Sequence, residues 1–281
     1  MLNRNIETFL GCNSAYDQAG IVLFGAPFDS TVSYRPGTRF ASREMRSQSF
    51  GLETYSPYLD SDLGDIAVFD GGDLELCIGD TGKALEQIEK YTSAILHDGK
   101  IPVMLGGEHL VTLGAFRAVF DKHPQVCIIH YDAHADLRDD YLGASLSHAS
   151  VLRRCYDLVG DNRIFQFGIR SGDRCEFEFA NAHTSLRKFD FAGLADTVKK
   201  LKDIPVYLTI DLDVLDPSAF PGTGTPEAGG VSFTDLIAAI REACALDIVG
   251  CDLVELSPVY DQSGVSTITA CKVLRELLLS I

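Results

Sequence analysis

The sequence predicts a three-layer α/β fold, with helices on both faces of a mainly parallel sheet. Short apolar runs alternate with amphipathic stretches from residue 21 onward, and this alternation implies right-handed crossovers between parallel strands. The runs are rich in β-branched residues and show little polar alternation, as expected for strands covered on both faces. No linker-like stretch divides the 281 residues. We therefore expect a single domain over residues 1–281, with residues 1–20 as an N-terminal extension.

Six apolar runs and six amphipathic stretches are the predicted elements. Strands are expected at 21–25, 101–105, 126–131, 163–168, 205–210 and 248–253. Helices are expected at 82–98, 111–120, 149–156, 194–202, 234–246 and 267–279. Because open α/β sheets bind ligands at the carboxyl ends of their strands, functional residues are expected just after the apolar runs.

The composition excludes two classes of partner. The chain has 40 acidic side chains against 24 Lys and Arg, a formal net charge of −16. Nucleic acid and anionic membrane surfaces both attract clustered basic residues, so we expect neither as a partner. No apolar run approaches the roughly 18 residues of a membrane span, and the first residues lack the apolar core of a signal peptide. Since neither a signal peptide nor a membrane span is expected, we expect a cytoplasmic protein whose eight cysteines stay reduced.

Polar side chains follow four of the predicted strands. The segments are Gly-Gly-Glu-His at 106–109, Asp-Ala-His-Ala-Asp at 132–136, Asp-Leu-Asp at 211–213 and Val-Glu at 254–255. Residues two apart project to the same side of an extended chain, so Asp132 and His134 can converge on one point, with Asp136 following. Asp211 and Asp213 repeat this spacing on another strand.

These four carboxylates, together with His109 and His134, predict a metal site. Clustered buried carboxylates raise each other's pKa unless a cation lies between them. The absence of a thiolate counts against structural zinc, and a mixed carboxylate–imidazole set suits Mn, Fe, Co or Zn. Six ligands suit two ions about 3.5–4 Å apart. Two such ions lower the pKa of a shared solvent molecule, so the predicted chemistry is hydrolysis.

Taken in order, the motifs resemble those of the ureohydrolase (arginase/agmatinase) family. The matching strings are GAPFDSTVSYRPGTRFASREMR at 25–46, GGEH at 106–109, DAHAD at 132–136, SHAS at 147–150, DLDVLDPSAFPGTGTPEAGG at 211–230 and VELSP at 254–258. The likeness runs from residue 21 to the C-terminus. It implies a three-layer arginase-like fold, a single ureohydrolase domain and a centre of two manganese ions (Mn²⁺) per subunit.

The resemblance also implies roles for individual residues. One manganese would be held by His109, Asp132, Asp136 and Asp211, and the other by Asp132, His134, Asp211 and Asp213. Asp136 would pass a proton to the leaving amine, Glu255 would pair with the guanidinium, and His148 would be a mobile proton shuttle. Thr225 would hydrogen-bond the guanidinium, and Asp139 would face a cationic end group of the substrate.

Two features set this chain apart from the common family pattern. Glu108 stands where the usual string is Gly-Gly-Asp-His, and since it is not an implied ligand we expect it to affect only the support of the metals. The loop 137–147 looks more like that of bacterial agmatinases than of arginases. In that loop the Asp139–Asp140 pair suits an amine, whereas Arg138 could bind a carboxylate or pair with a neighbouring Asp.

The function implied is that of an agmatinase, which hydrolyses a C–N bond of the small cationic guanidino compound agmatine to give putrescine and urea. A hydroxide bridging the two manganese ions would attack the guanidinium carbon. Arginase, guanidinobutyrase and formimidoylglutamase remain alternatives, because the metal core does not separate them. A metal-dependent deacetylase with one zinc and an inactive binding protein are disfavoured by the complete ligand set. We expect a homo-oligomer, a trimer or hexamer, by resemblance.

Overall fold

The computed structural model describes residues 7–281, and its helices and strands alternate along the chain. The strands are β1 (Ile21–Ala26), β2 (Tyr55–Ser56), β3 (Ser61–Asp62), β4 (Val68–Asp73), β5 (Ile101–Gly106), β6 (Cys127–Tyr131), β7 (Ile164–Ile169), β8 (Ser185–Lys188), β9 (Pro205–Asp211) and β10 (Asp247–Val254). The helices are α1 (Ala41–Ser49), α2 (Thr81–His97), α3 (Val111–Lys122), α4 (Val151–Val159), α5 (Arg174–His183), α6 (Leu194–Lys200), α7 (Phe233–Ala243) and α8 (Val265–Ser280).

Within residues 7–281, eight strands form one sheet in the order β4-β1-β5-β10-β9-β6-β7-β8, and every neighbouring pair is parallel. Strands β2 and β3 form a separate antiparallel pair. Apolar side chains of α1, α6, α7 and α8 belong to one buried cluster, and those of α2, α3, α4 and α5 belong to another. Helices therefore cover both faces, which confirms the three-layer α/β fold.

The predicted elements are confirmed, with ends displaced by at most three residues. The edge strands β4 and β8 were not predicted, because their sequences VFDGGD and SLRK are polar and partly exposed. Helices α1 and α5 were also missed, although the capping box of Asp173 and Glu176 marks the start of α5. The predicted extension 1–20 lies partly outside the described residues. No helix within 7–281 is both long and apolar enough to cross a membrane.

The sheet order determines where the strand-end motifs meet. Strands β5, β10, β9 and β6 are consecutive neighbours at the centre of the sheet. Because all four are parallel, their carboxyl ends share one edge. The segments 106–109, 254–255, 211–213 and 132–136 are therefore brought side by side, although they are far apart in the chain.

Gly107 allows two backbone segments to approach closely at this edge. A Cβ atom added there would lie 1.8 Å from the backbone oxygen of Phe28. The amide of Gly107 donates to the oxygen of Ala26 at 3.0 Å, and that of Glu108 donates to Phe28 O at 2.8 Å. Any larger residue must separate these segments, because the obstruction is backbone and cannot change rotamer.

We predict that Gly107→Ala lowers the free energy of unfolding by about 3 kcal/mol, the range of severe overpacking. Gly20→Ala is the matched control, since no atom lies within 4 Å of its added Cβ. Urea denaturation of both variants checks the prediction. Equal stability of the two variants would contradict the close contact described here.

Candidate metal centre and active site

The ends of β5, β6 and β9 bring three carboxylates around the ring of His109. Its Nδ1 atom lies 3.1 Å from Asp132 Oδ2, 3.2 Å from Asp136 Oδ2 and 3.3 Å from Asp211 Oδ2. All four side chains are buried. Among the described residues, this Nδ1 makes no hydrogen bond. Buried polar atoms in proteins almost always have a partner, so a buried nitrogen without a hydrogen bond suggests a binding partner such as a metal ion.

The spacing of these atoms fits ligands arranged around one ion. Bonds of about 2.1 Å that meet at right angles place neighbouring ligand atoms about 3 Å apart. Imidazole and carboxylate together suit manganese, iron, cobalt or zinc. The unpartnered Nδ1 and its three oxygens therefore fit a divalent metal.

A second group surrounds His134. Its Nδ1 atom lies 3.1 Å from Asp213 Oδ2 and 3.5 Å from Asp132 Oδ1. The ligand atoms of these three residues all lie within 4.8 Å of one another. Asp132 thus directs Oδ2 to the first group and Oδ1 to the second, as a carboxylate shared by two ions would. All six predicted ligands are brought together in these two groups.

Backbone amides hold the aspartates in place. Asp132 Oδ1 accepts from the His134 amide at 2.6 Å, and Asp211 Oδ1 accepts from the Asp213 amide at 2.8 Å. Asp213 Oδ1 accepts from the amide of Ala133 at 3.2 Å. These bonds leave the other carboxylate oxygens turned toward the histidines.

The far side of the His109 ring holds the other nitrogen, so that Nδ1 is the one left for a metal. Its Nε2 lies 2.9 Å from Thr209 Oγ1, and that hydroxyl donates to Asp252 Oδ1 at 2.6 Å. Since the hydroxyl proton is used on Asp252, Thr209 Oγ1 accepts a hydrogen bond from the N–H group at Nε2. Support of this kind is common behind metal-ligating histidines. Thr209 and Asp252 were not predicted, and the only signal was a polar residue inside each apolar run.

Other unpredicted residues support the loops of the site. The Arg170 guanidinium donates to the backbone oxygens of Asp213, Val214, Leu215 and Glu227, which fixes the loop after β9. No sequence signal identifies this role, because the partners are backbone atoms distant in the chain.

A cavity of about 280 Å³ opens above the two groups. Its lining includes the predicted residues Asp136, His148, Thr225 and Glu255. Glu255 Oε1 accepts from the His109 amide at 2.8 Å, and Thr225 Oγ1 donates to Asp213 Oδ2 at 3.3 Å. His148 Nε2 lies 3.3 Å from Ser33 Oγ. The structure therefore places all four beside the candidate metal centre.

Two of the cavity residues have an uncommon backbone conformation. Asp136 has a φ of 53° and Glu255 a φ of 66°, in the left-handed region. Such conformations cost about 1–3 kcal/mol in non-glycine residues and cluster at functional sites. Both residues follow the end of a strand, and both line the cavity.

Glu108 is fully buried and binds Thr31. Its Oε2 accepts from the Thr31 amide at 2.9 Å, and its Oε1 accepts from the Thr31 hydroxyl. The same hydroxyl accepts from the amide of His148 at 3.1 Å. Burial raises the pKa of Glu108 to about 7. Glu108 thus supports the loop carrying Thr31 and Ser33, as expected for a residue outside the ligand set.

The loop 137–147 is arranged differently from the prediction for Asp139. Its carboxylate lies 2.6 Å from Arg154 Nη2, its side chain is 72% exposed, and it is not part of the cavity lining. Arg138 does line the cavity, and its Nη1 lies 2.5 Å from Asp173 Oδ2. Its Nε lies 3.4 Å from Glu176 Oε2. The structure therefore brings Asp173, which was not predicted, to the cavity and leaves Asp139 outside it.

Comparison with known proteins agrees with this arrangement. A sequence model described as "Arginase family" matches residues 19–280. The chain belongs to the arginase family. The agmatinase of Bacillus subtilis (strain 168) is 45% identical over 277 residues, which cover 97% of this chain and 96% of that protein. The guanidinobutyrase of Pseudomonas aeruginosa is 35% identical, covering 93% of this chain and 86% of that protein.

A solved structure of a candidate agmatinase from Clostridium difficile superimposes with a TM-score of 0.92 at 51% identity. The match covers 95% of this chain and 98% of that chain. Members of the arginase family are binuclear metal-dependent hydrolases of C–N bonds in linear amidines. This arginase-family protein is therefore a hydrolase of C–N bonds in linear amidines, and it has His and Asp groups that could bind a metal.

The charge of this arginase-family site is unbalanced without metal. Burial and the neighbouring Asp132 raise the pKa of Asp136 to about 7. Burial, with Asp213 and Asp132 nearby, raises the pKa of Asp211 well above its usual value. Burial and Glu108 do the same to the pKa of Glu255. Protons thus replace the missing positive charge, and a metal would displace them.

We predict that metal-free protein loses stability between about pH 5 and about pH 8. Asp136 and Asp211 hold protons more tightly in the folded chain than in the unfolded chain. Their contribution to the free energy of unfolding is therefore lost as the pH rises through their folded pKa. Because metal and proton compete, stabilisation by MnCl₂ should be larger at the higher pH. Urea denaturation with EDTA or MnCl₂ at both pH values measures this. Equal metal stabilisation at the two pH values would contradict it.

Proposed function

We propose that the protein is a manganese-dependent agmatinase that hydrolyses agmatine to putrescine and urea. The observation that carries the proposal is a cavity with two His–Asp groups at its floor and an acidic outer wall. Arg138 in that wall is paired with Asp173 and Glu176, so the local charge is net negative. Such a wall favours a substrate ending in an amine over one ending in a carboxylate. The similarity to bacterial agmatinases supports the same choice.

In this proposal the first ion is held by His109, Asp132, Asp136 and Asp211, and the second by Asp132, His134, Asp211 and Asp213. When bound, the ions lower the pKa of coordinated water and so supply a nucleophile near neutral pH. The resemblance to the ureohydrolase family favours manganese among the metals that the donor atoms suit.

Residues of the cavity carry out substrate binding and proton transfer. Glu255 binds the planar guanidinium, whose N–H groups match a carboxylate, and the cation keeps this buried acid ionised. Thr225 donates to Asp213 and lies where it can also contact the guanidinium. Asp136 takes up the proton of the attacking water and returns it to the leaving nitrogen.

His148 acts as the proton shuttle at the rim. Burial lowers the pKa of His148 to about 4, so the ring is neutral near pH 7 and can accept a proton. Ser33 lies within hydrogen-bond distance of its Nε2. The ring therefore takes a proton from the site transiently and passes it to solvent or to the departing amine.

Guanidinobutyrate is the second candidate substrate. Arg138 faces the cavity and could bind a carboxylate if Asp173 turned away. The 35% identical guanidinobutyrase from Pseudomonas aeruginosa makes this substrate the natural comparison.

We further propose a single domain over residues 1–281 and a cytoplasmic homo-oligomer, either a trimer or a hexamer. Exposed apolar side chains support self-association, since Phe40 and Val259 line one surface groove and are 53% and 51% exposed. All eight cysteines, which lie within the described residues, have free thiols, as reducing conditions require.

A panel of guanidino compounds with urea detection tests the proposed function. After manganese loading, we predict urea release from agmatine, with lower kcat/KM for guanidinobutyrate and arginine. Glu255→Gln should retain manganese but lose at least about 100-fold in kcat/KM, since a charge-paired contact of about 2.7 kcal/mol is removed. Absence of urea from every compound would reject the proposal. Fast turnover by Glu255→Gln would reject only the role of Glu255.

We predict that Asp173→Asn lowers the preference for agmatine over guanidinobutyrate by about tenfold, because Arg138 is then less fully neutralised. Asp139→Asn is the comparison variant, since its carboxylate pairs with Arg154 outside the cavity. The ratio of kcat/KM values for the two substrates is the measurement. If only Asp139→Asn changed this ratio, the result would support the role predicted from the sequence, in which Asp139 binds the amine.

A further inference from the structure

A third histidine lies beside the candidate metal centre. His130 is in β6, two residues before Asp132, and is fully buried. Its Nε2 lies 2.8 Å from Asp132 Oδ2, the oxygen that is 3.1 Å from His109 Nδ1. His109, His130 and Asp132 therefore have the composition and proximity of three metal ligands. His130 can either bind a metal through Nε2 or donate a hydrogen bond from Nε2 to the carboxylate of Asp132.

The orientation of the Gln166 amide distinguishes these two roles of His130. Its Nε2 lies 2.8 Å from the backbone oxygen of Ala135 and 3.1 Å from His130 Nδ1. Its Oε1 accepts from the Thr184 hydroxyl at 3.2 Å. With the amide reversed, two oxygens would face each other at Ala135. The backbone carbonyl therefore requires the NH₂ group of Gln166 on the His130 side.

The position of the ring proton follows from this orientation. An amide NH₂ has two hydrogens, and Gln166 directs one to Ala135 and the other to His130 Nδ1. Nδ1 must then be an acceptor, which excludes a proton on that nitrogen. The neutral ring carries its proton on Nε2, and that proton points to Asp132. A protonated Nε2 has no lone pair for a metal.

We propose that His130 is a positioning residue that donates from Nε2 to Asp132 and so orients the carboxylate shared by the two metal groups. Gln166 sets its tautomer. This inference rests on the proposed metal centre for its functional meaning. The hydrogen-bond chain from Thr184 through Gln166 and His130 to Asp132 is a property of the metal-free protein and is measurable without metal.

The role is tested by manganese titration calorimetry on metal-free protein. We expect His130→Phe, which keeps a ring but removes the donor, to bind manganese about 10- to 100-fold more weakly. Gln166→Met should cause a smaller loss of manganese affinity, because the His130 tautomer is then no longer fixed but the ring of His130 remains. Tyr131→Phe is the matched control. Tyr131 lies in the same strand as His130, and its hydroxyl donates to Ala239 O. Its loss should lower the unfolding temperature without changing manganese affinity.

The tautomer is tested by solid-state ¹⁵N NMR of histidine-labelled, metal-free protein. The His130 signals are identified by their loss in His130→Phe, or by their shift in Gln166→Met if the first variant does not fold. A protonated Nε2 with a bare Nδ1 supports the inference, and a proton on Nδ1 overturns it. Unchanged manganese affinity in both folded variants also overturns the positioning role.

Asp132→Ala separates this inference from the proposed metal centre. Loss of manganese binding in Asp132→Ala, together with weakened binding in His130→Phe, supports both. Full binding by Asp132→Ala rejects the metal centre and the positioning role with it. In that case the NMR result would still establish the tautomer as a separate structural fact.

Discussion

The concentration of carboxylates at one buried edge is the constraint on which this structure depends. Asp132, Asp136, Asp211 and Asp213 lie close together, and none of them is more than 5% exposed. Uncompensated, such charges cost several kcal/mol each. The chain reduces this cost with backbone amides and histidines, and by retaining protons in the absence of metal. The parallel sheet order, the close contact at Gly107 and the bent backbone at Asp136 all serve to gather these groups where a cation can neutralise them.

The central strands and the clustering of the six candidate ligands were predictable because both follow simple periodic rules. Each central strand is an apolar run, and Asp132 and His134 keep the two-residue spacing of an extended chain, with Asp136 following in a left-handed conformation. His130 continues that spacing backward and could have been recognised from the same rule. The edge strands β4 and β8 lacked an apolar pattern, since edge strands are partly exposed.

What could not be predicted depends on contacts between distant parts of the chain. Arg170 acts through backbone oxygens, which leave no trace in the sequence. Asp139 and Asp173 are both acidic residues near the site, and only folding shows which of them Arg154 pairs with on the surface. Gln166 is an ordinary polar residue in an apolar strand until its amide is seen between Ala135 and His130. Residue type therefore indicated a candidate metal centre, whereas the surrounding support required the fold.

Glu108 shows how one extra methylene group is accommodated in a family motif. Its carboxylate reaches both the amide and the hydroxyl of Thr31, so the loop bearing Ser33 is joined to the turn before His109. Through the Thr31 hydroxyl, the same acid also reaches the backbone of His148. The floor and the rim of the cavity are thus one connected unit.

The order of strands in the sheet has a consequence for how the protein is made. The groups that surround His109 and His134 come from β5, β6 and β9, and β10 lies between β5 and β9 in the sheet. Nascent chain that lacks β10 therefore cannot complete the sheet between His109 and Asp211. Any ions that bind here would meet the full set of candidate ligands only after most of the polypeptide has left the ribosome, and their binding would then stabilise the completed fold.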